Sequence, residues 1–77
     1  MSELDETGWR SLETLENGEV RLDLQSVREK LKIPEFIKLY EQGYSTLQET
    51  GPGDSIHVFK ITPSGIAALA ARRDHKG

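Results

Sequence analysis

The chain has 77 residues, with 13 acidic and 10 basic side chains, a net charge of −3 and no cysteine. A chain of this length has room for one small core, so we expect a single domain over residues 1–77 with flexible ends at 1–4 and 73–77. Without cysteine there is no disulfide, thiol nucleophile or thiolate ligand, and His57 and His75 cannot form a zinc site alone. We therefore predict a fold that depends on packing, with no cofactor.

The short apolar runs indicate a soluble protein, and its charges are unevenly distributed along the chain. No apolar run approaches the about 18 residues of a membrane span, and the acidic N-terminus is unlike a signal peptide, so we expect a cytoplasmic protein with no membrane partner. Residues 1–26 carry seven acids and two bases, whereas residues 27–77 carry eight bases and six acids. We expect the later part to meet a partner while the acidic segment faces away from it; the alternative is that the charges only solvate exposed faces.

The first predicted element is a helix that begins near Asp5. Trp9, Leu12 and Leu15 recur at helical spacing, and acids crowd the first turn, where they suit the positive end of the helix dipole. Asn17-Gly18 predicts the end of this helix. We expect Trp9 to be a core or half-buried side chain.

A short strand is predicted next, over residues 19–24. Polar and apolar residues alternate there, which places Val20 and Leu22 on the inner side. The same segment also fits the start of the second helix, and the sequence leaves this alternative open.

Two helices separated by a tight turn follow. Asp23 or Ser26 can cap the second helix, and residues 26–29 fit a capping box. This helix is predicted to end near Lys32, and its apolar face holds Leu24, Val27 and Leu31. Ile33-Pro34 restarts the chain, because proline pushes the residue before it out of the helical region and suits a first helical turn.

The third helix is predicted over about Pro34 to Gln42, with Gly43 at its end. Its apolar stripe consists of Phe36, Ile37 and Tyr40. A β-hairpin then follows, because residues 44–48 and 55–61 are rich in aromatic and β-branched residues and flank a Gly-Pro-Gly-Asp turn. The predicted hairpin therefore comes directly after two helices.

The last predicted element is a helix capped by Thr62, with Pro63 in its first position. Its buried face consists of Ile66, Leu69 and Ala70. The helix is predicted to end at Arg72-Arg73, where bases suit the negative end of the dipole. The predicted order of elements is α-β-α-α-β-β-α.

The segment from Phe59 to Leu69 resembles the point where the wing enters the C-terminal helix in winged helix-turn-helix regulators. That family pattern is an apolar residue, a threonine, a glycine three positions later and a leucine four positions after the glycine. It is matched here by Ile61, Thr62, Gly65 and Leu69. Gly43-Tyr44 likewise resembles the exit from the family's third helix. The resemblance covers residues 7–71 and implies an α+β fold: a small winged helix with a three-helix core, a short β-hairpin wing and a C-terminal helix. The alternative is a small α/β domain that happens to use a capped final helix.

This resemblance implies a small DNA-binding transcriptional regulator whose third helix lies in the major groove of double-stranded DNA. The candidate binding residues are Arg28, Lys30, Lys32, Lys38, Gln42 and Lys60. The first four fall within eleven residues, where backbone phosphates would be met, although they also fit a solvated helix face. Glu35 and Glu41 on the third helix repel phosphate, and so do Glu49 and Asp54 at the wing.

The alternative function is a protein-interaction module, for instance a phage or mobile-element regulator that docks on a larger protein machine. The net negative charge and the carboxylates on the third helix favour it. We expect no enzyme, because Asp54, Ser55 and His57 alternate between the two faces of a hairpin and cannot form a triad. Few phosphate contacts are available to a monomer, so specific DNA binding would require a homodimer.

Overall fold

The computed structural model describes residues 4–76, with side chains as far as Asp74. The elements are α1 (Glu6–Glu16), β1 (Val20–Asp23), α2 (Val27–Lys30), α3 (Ile33–Glu41), β2 (Ser45–Thr50), a 3-10 turn (Pro52–Asp54), β3 (Ile56–Ile61) and α4 (Pro63–Lys76). The fold is α+β, in the predicted order of helices and strands. The prediction of flexible ends lies outside the described residues at positions 1–3 and 77. Among residues 4–76, no helix is both long and apolar enough to cross a membrane.

α1 begins and ends where the sequence predicts. The carboxylate of Asp5 accepts a hydrogen bond from the backbone N–H of Gly8 at 2.8 Å, which caps the free N–H groups of the first turn. The helix ends at the residue before Asn17. Its inward side is formed by Ser11, Leu12 and Leu15, with Trp9 half-buried beside them.

The three strands form one antiparallel sheet with β3 in the centre, in the order β1-β3-β2. Residues 20–23 therefore form a strand and do not join α2. Phe59 of β3 lies opposite Val20 of β1 and Leu47 of β2. It is fully buried, with its ring centroid 5.3 Å from that of Phe36 in α3. One face of the sheet thus packs on the helices, and alternate residues such as Lys60 point to the other face.

α2 is shorter than predicted, and its apolar residues are exposed. The Ser26 hydroxyl accepts a hydrogen bond from the backbone N–H of Glu29 at 3.4 Å. The Glu29 carboxylate does not complete the capping box, because it accepts from the backbone N–H of Asp23 at 2.9 Å. This bond turns the Glu29 side of α2 toward β1, and Val27 and Leu31 remain 76% and 72% exposed. Of the predicted apolar face, Leu24 therefore packs against the core, whereas Val27 and Leu31 do not.

α3 packs through a stripe that matches the predicted one in part: Phe36 is buried and Ile37 packs against the core, whereas the prediction for Tyr40 is wrong. Its buried residues are Ile33, Phe36 and Leu39. Ile37 is half-buried and Tyr40 is largely exposed. After the helix, the backbone N–H of Tyr44 donates to the carbonyl of Leu39 at 2.9 Å, and Gly43 has φ +83°. This helix end matches the predicted glycine stop.

α4 contacts the rest of the molecule along a narrow line. Of the three residues predicted for its buried face, Leu69 is buried, whereas Ile66 and Ala70 are exposed. Gly65, four positions before Leu69, is the other buried position. The prediction is therefore confirmed for Leu69 and wrong for Ile66 and Ala70, because the side of α4 that packs contains Gly65 and not the larger Ile66. The helix also continues beyond Arg73, as far as Lys76.

Thr62 joins the ends of α3 and β3 to the start of α4. Its hydroxyl donates to the carbonyl of Gly43 at 2.7 Å and accepts from the backbone N–H of Gly65 at 3.1 Å. A Cβ placed on Gly65 would lie 2.5 Å from the carbonyl oxygen of Tyr44 and 2.8 Å from Cγ1 of Ile61. The threonine and glycine of this motif therefore serve a helix cap and a close backbone approach.

Candidate nucleic-acid interface

Arg72 and Arg73 of α4 are bound by acids of α1. Arg73 donates two hydrogen bonds to the Glu16 carboxylate, at 2.8 and 3.1 Å. The Arg72 guanidinium lies 3.7 Å from a carboxylate oxygen of Glu6 and 3.9 Å from one of Glu13. The acidic N-terminal segment thus packs on the C-terminal bases and does not simply face away from them.

The geometry of these contacts shifts the titration of the Glu16–Arg73 pair. The hydrogen bond from Arg73 holds the pKa of Glu16 below the usual value of a glutamate, and the same hydrogen bond raises the pKa of Arg73. The Arg72 guanidinium also lies 5.0 Å from the centre of the Trp9 ring. The two arginines are therefore committed to contacts within the chain.

Lys60 lies apart from the other predicted binding residues. Phe59 beside it points into the core, so Lys60 extends from the opposite face of the sheet. Its Nζ lies 3.7 Å from Oε1 of Glu19. The structure thus gives Lys60 an acidic partner and separates it from α3.

Arg28, Lys30 and Lys32 are exposed, and none of them forms an ion pair with a described residue. We call these three residues the basic segment; they lie on α2 and the turn that leads into α3. Lys32 and Arg10 of α1 both line a groove of about 330 Å³. Sequence reasoning missed Arg10, because it lies among acids in the chain and reaches the groove only when α1 packs on α3.

Lys38 and Gln42 lie in a second groove, of about 170 Å³, between the N-terminus of α1 and the C-terminal half of α3. Carboxylates share this groove: Asp5, Glu35 and Glu41. They outnumber the one ammonium group, so the local charge is negative. The structure therefore separates the predicted site residues into a basic segment and a mixed groove.

Glu35 does not project outward from α3 as the sequence suggests. It is half-buried, and its Oε1 accepts a hydrogen bond from the Ser11 hydroxyl of α1 at 3.2 Å. Of the two carboxylates expected to repel phosphate from this helix, only Glu41 remains exposed. The sequence could not show the hydrogen bond between Ser11 and Glu35, because the two residues are 24 positions apart.

The hairpin connection offers no positive charge. Residues 50–55 contain no lysine or arginine, and Asp54 is exposed. Glu49 lies 3.7 Å from Nε2 of His57, whose Nδ1 is buried without a partner among the described residues. This connection is therefore unsuited to phosphate contact.

No family model matches the chain, and no curated protein or solved structure is significantly similar to it.

Proposed function

We propose that this chain is a small winged-helix domain that binds double-stranded DNA and regulates transcription. The observation that carries the proposal is that some bases of the chain have acidic partners within it and others do not. Arg72, Arg73 and Lys60 are held by acids of the same chain, whereas the basic segment on α2 and the α2–α3 turn has no acidic partner among residues 4–74. Unpaired bases on a short helix and on the turn that follows it are suited to a row of phosphates.

The order and pairing of the elements support this proposal. α2 and α3 follow one another closely and precede the β2–β3 hairpin, while β1 pairs with the far side of β3. A helix-turn-helix followed by a hairpin is the arrangement expected of the winged-helix family. The inward turn of Glu35 supports it further, since one of the two opposing charges on α3 points to α1.

In this proposal each element has a defined role. Arg28, Lys30 and Lys32 contact backbone phosphates, with Arg10 beside Lys32. α3 enters the major groove, where the Gln42 amide and Lys38 are the groups able to read base edges. Three or four phosphate contacts give weak, salt-dependent binding, so specific recognition of a site requires a homodimer.

The test compares two lysine variants by fluorescence anisotropy with a random-sequence duplex at about 50 mM salt and above. We expect Lys30→Gln/Lys32→Gln to weaken binding and to reduce the slope of log K against log salt by about 2, one for each lost phosphate contact. The matched control, Lys60→Gln, removes a lysine that Glu19 already engages and should leave the slope unchanged.

Two results would contradict the proposal. Wild-type protein that fails to bind at about 50 mM salt, where phosphate contacts are strongest, cannot use the basic segment on DNA. A Lys60→Gln variant that lowers the slope by about 1, half the loss of the double variant, would show that the effect follows net charge and not the position of the bases.

A second candidate function is a protein-interaction module. The observation that favours it is the exposed pair Val27 and Leu31, which phosphate contacts do not require. The carboxylates around Lys38 favour it as well. A module of this kind would bind its partner through apolar contact, with a weaker dependence on salt.

A further inference from the structure

Val27, the first residue of α2, and Leu31, the C-cap that follows its last residue, form an exposed apolar pair. They are four residues apart, so they lie next to each other on one side of the helix. Among the described residues, the exposed large hydrophobic side chains are Val27, Leu31, Tyr40 and Ile66, and the first two are the most exposed. No residue of α2 is buried. A single exposed aliphatic side chain is common on protein surfaces, but here two adjacent ones are exposed to solvent.

Arg28 and Lys30 flank this pair. Successive residues in a helix are about 100° apart, which places Arg28 on one side of the line from Val27 to Leu31 and Lys30 on the other. Both bases are exposed and have no ion-pair partner among the described residues. The outer face of α2 is thus an apolar centre with a positive rim.

The fold does not need the apolar pair. α2 is held by the Ser26 cap and by the bond between the Glu29 carboxylate and the backbone N–H of Asp23. These contacts lie on the side of α2 that faces β1. Substituting Val27 and Leu31 should therefore leave the fold intact.

We propose that the outer face of α2 is a docking surface for an acidic segment of another protein. The segment places apolar side chains on Val27 and Leu31 and pairs its carboxylates with Arg28 and Lys30. The acids of α1 in a second copy of this chain are poorly suited to this role, because Arg72 and Arg73 of that copy already engage them. A membrane surface is a poor one too, because two aliphatic side chains bury little area in lipid.

If the chain binds DNA as proposed above, the docked segment and the DNA use the same bases. Arg28 and Lys30 belong to the basic segment, so an acidic segment docked on α2 would compete with phosphates for the same two side chains. Binding of the partner protein would then release DNA.

The experiment uses a fluorescein-labelled amphipathic peptide with leucines at positions i and i+4 and glutamates elsewhere, measured by anisotropy with the full chain. The control peptide has serine in place of leucine. We expect the leucine peptide to bind, and Val27→Ser/Leu31→Ser to lower its affinity by at least about tenfold. Arg28→Gln/Lys30→Gln should lower it at low salt and much less at high salt. Ile66→Ser, which removes an exposed aliphatic residue from α4, is the matched control and should bind as wild type does.

Several outcomes would overturn the docking proposal. Equal affinity for the two peptides, no binding of either, or no effect of Val27→Ser/Leu31→Ser would each do so. Self-association in sedimentation that the double substitution abolishes would assign the face to a second copy. Binding to phosphatidylglycerol vesicles that the same substitution abolishes would assign it to a membrane.

The DNA assay separates this proposal from the proposed function. Val27→Ser/Leu31→Ser should retain duplex binding, because it removes no charge. Wild-type protein that binds the leucine peptide but not DNA would refute the DNA-binding function alone. Circular dichroism of each variant checks that the helices are retained, and the charge variant remains a second test if the apolar variant loses them.

Discussion

At Gly65 the start of α4 comes into contact with the backbone of the preceding elements. A side chain there would meet the carbonyl oxygen of Tyr44, which is fixed because the backbone N–H of Thr62 donates to it at 3.0 Å. The sequence marks this position as part of a motif, but the local sequence also explains the pattern as helix-start chemistry. Only the packing of α4 on the strand ends shows why a glycine is needed.

We predict that Gly65→Ala destabilises the protein by about 2 kcal/mol or more, although alanine favours helix. The backbone of α4 must move to relieve a contact of 2.5 Å with a carbonyl oxygen. Urea unfolding measures the change. Ser64→Ala, at the exposed neighbouring position, is the control and should have little effect. Equal stability of the two variants would contradict the close approach.

Helix ends were easier to predict from the sequence than helix faces. The predicted caps at Ser26 and Thr62 depend on residues within three positions of each other, and both form. The faces of α2 and α4 depend on which neighbouring element each helix meets, and that information is not local. In α2 the Glu29 carboxylate accepts a hydrogen bond from β1, a contact between residues six positions apart that the helical spacing does not show.

We predict that removing this bond loosens α2 without unfolding the domain. In Glu29→Ala the backbone N–H of Asp23 loses its acceptor, so hydrogen exchange there and over Val27–Lys30 should speed up by about tenfold. Glu29→Gln keeps a carbonyl oxygen and should exchange more nearly as wild type does. Glu41→Ala removes an exposed carboxylate from α3 and is the control. Unchanged exchange in Glu29→Ala would show that other contacts hold α2.

Across the whole molecule, the arrangement of charge could be predicted only in part. Counting along the chain showed an acidic first third and a basic remainder, and this much needs no structure. The count could not show that Arg72 and Arg73 form ion pairs with acids of α1. It also could not show that Arg10 and Lys32 line the same groove. Those contacts join residues far apart in the chain, so the candidate site emerges only after folding.

The Glu16–Arg73 pair predicts an acid dependence of stability. Because Arg73 holds the pKa of Glu16 below its usual value, the pair contributes fully above the unfolded-state pKa of that carboxyl, and the contribution is lost as the pH falls through the lower folded value. In Arg73→Gln the pKa of Glu16, measured by NMR titration, should return toward the usual glutamate value. Arg10→Gln, which removes an arginine without an ion pair among the described residues, is the control. An unchanged Glu16 titration in Arg73→Gln would contradict the pairing in solution.

The central place of β3 bears on how the chain folds during synthesis. β1 and β2 both pair with β3 and not with each other, and Val20 meets Phe59, 39 positions later. While a ribosome still holds residues 56–61, neither of the earlier strands has a partner, and Phe36 lacks the ring on which it packs. The sheet of the nascent chain therefore cannot form until β3 has emerged.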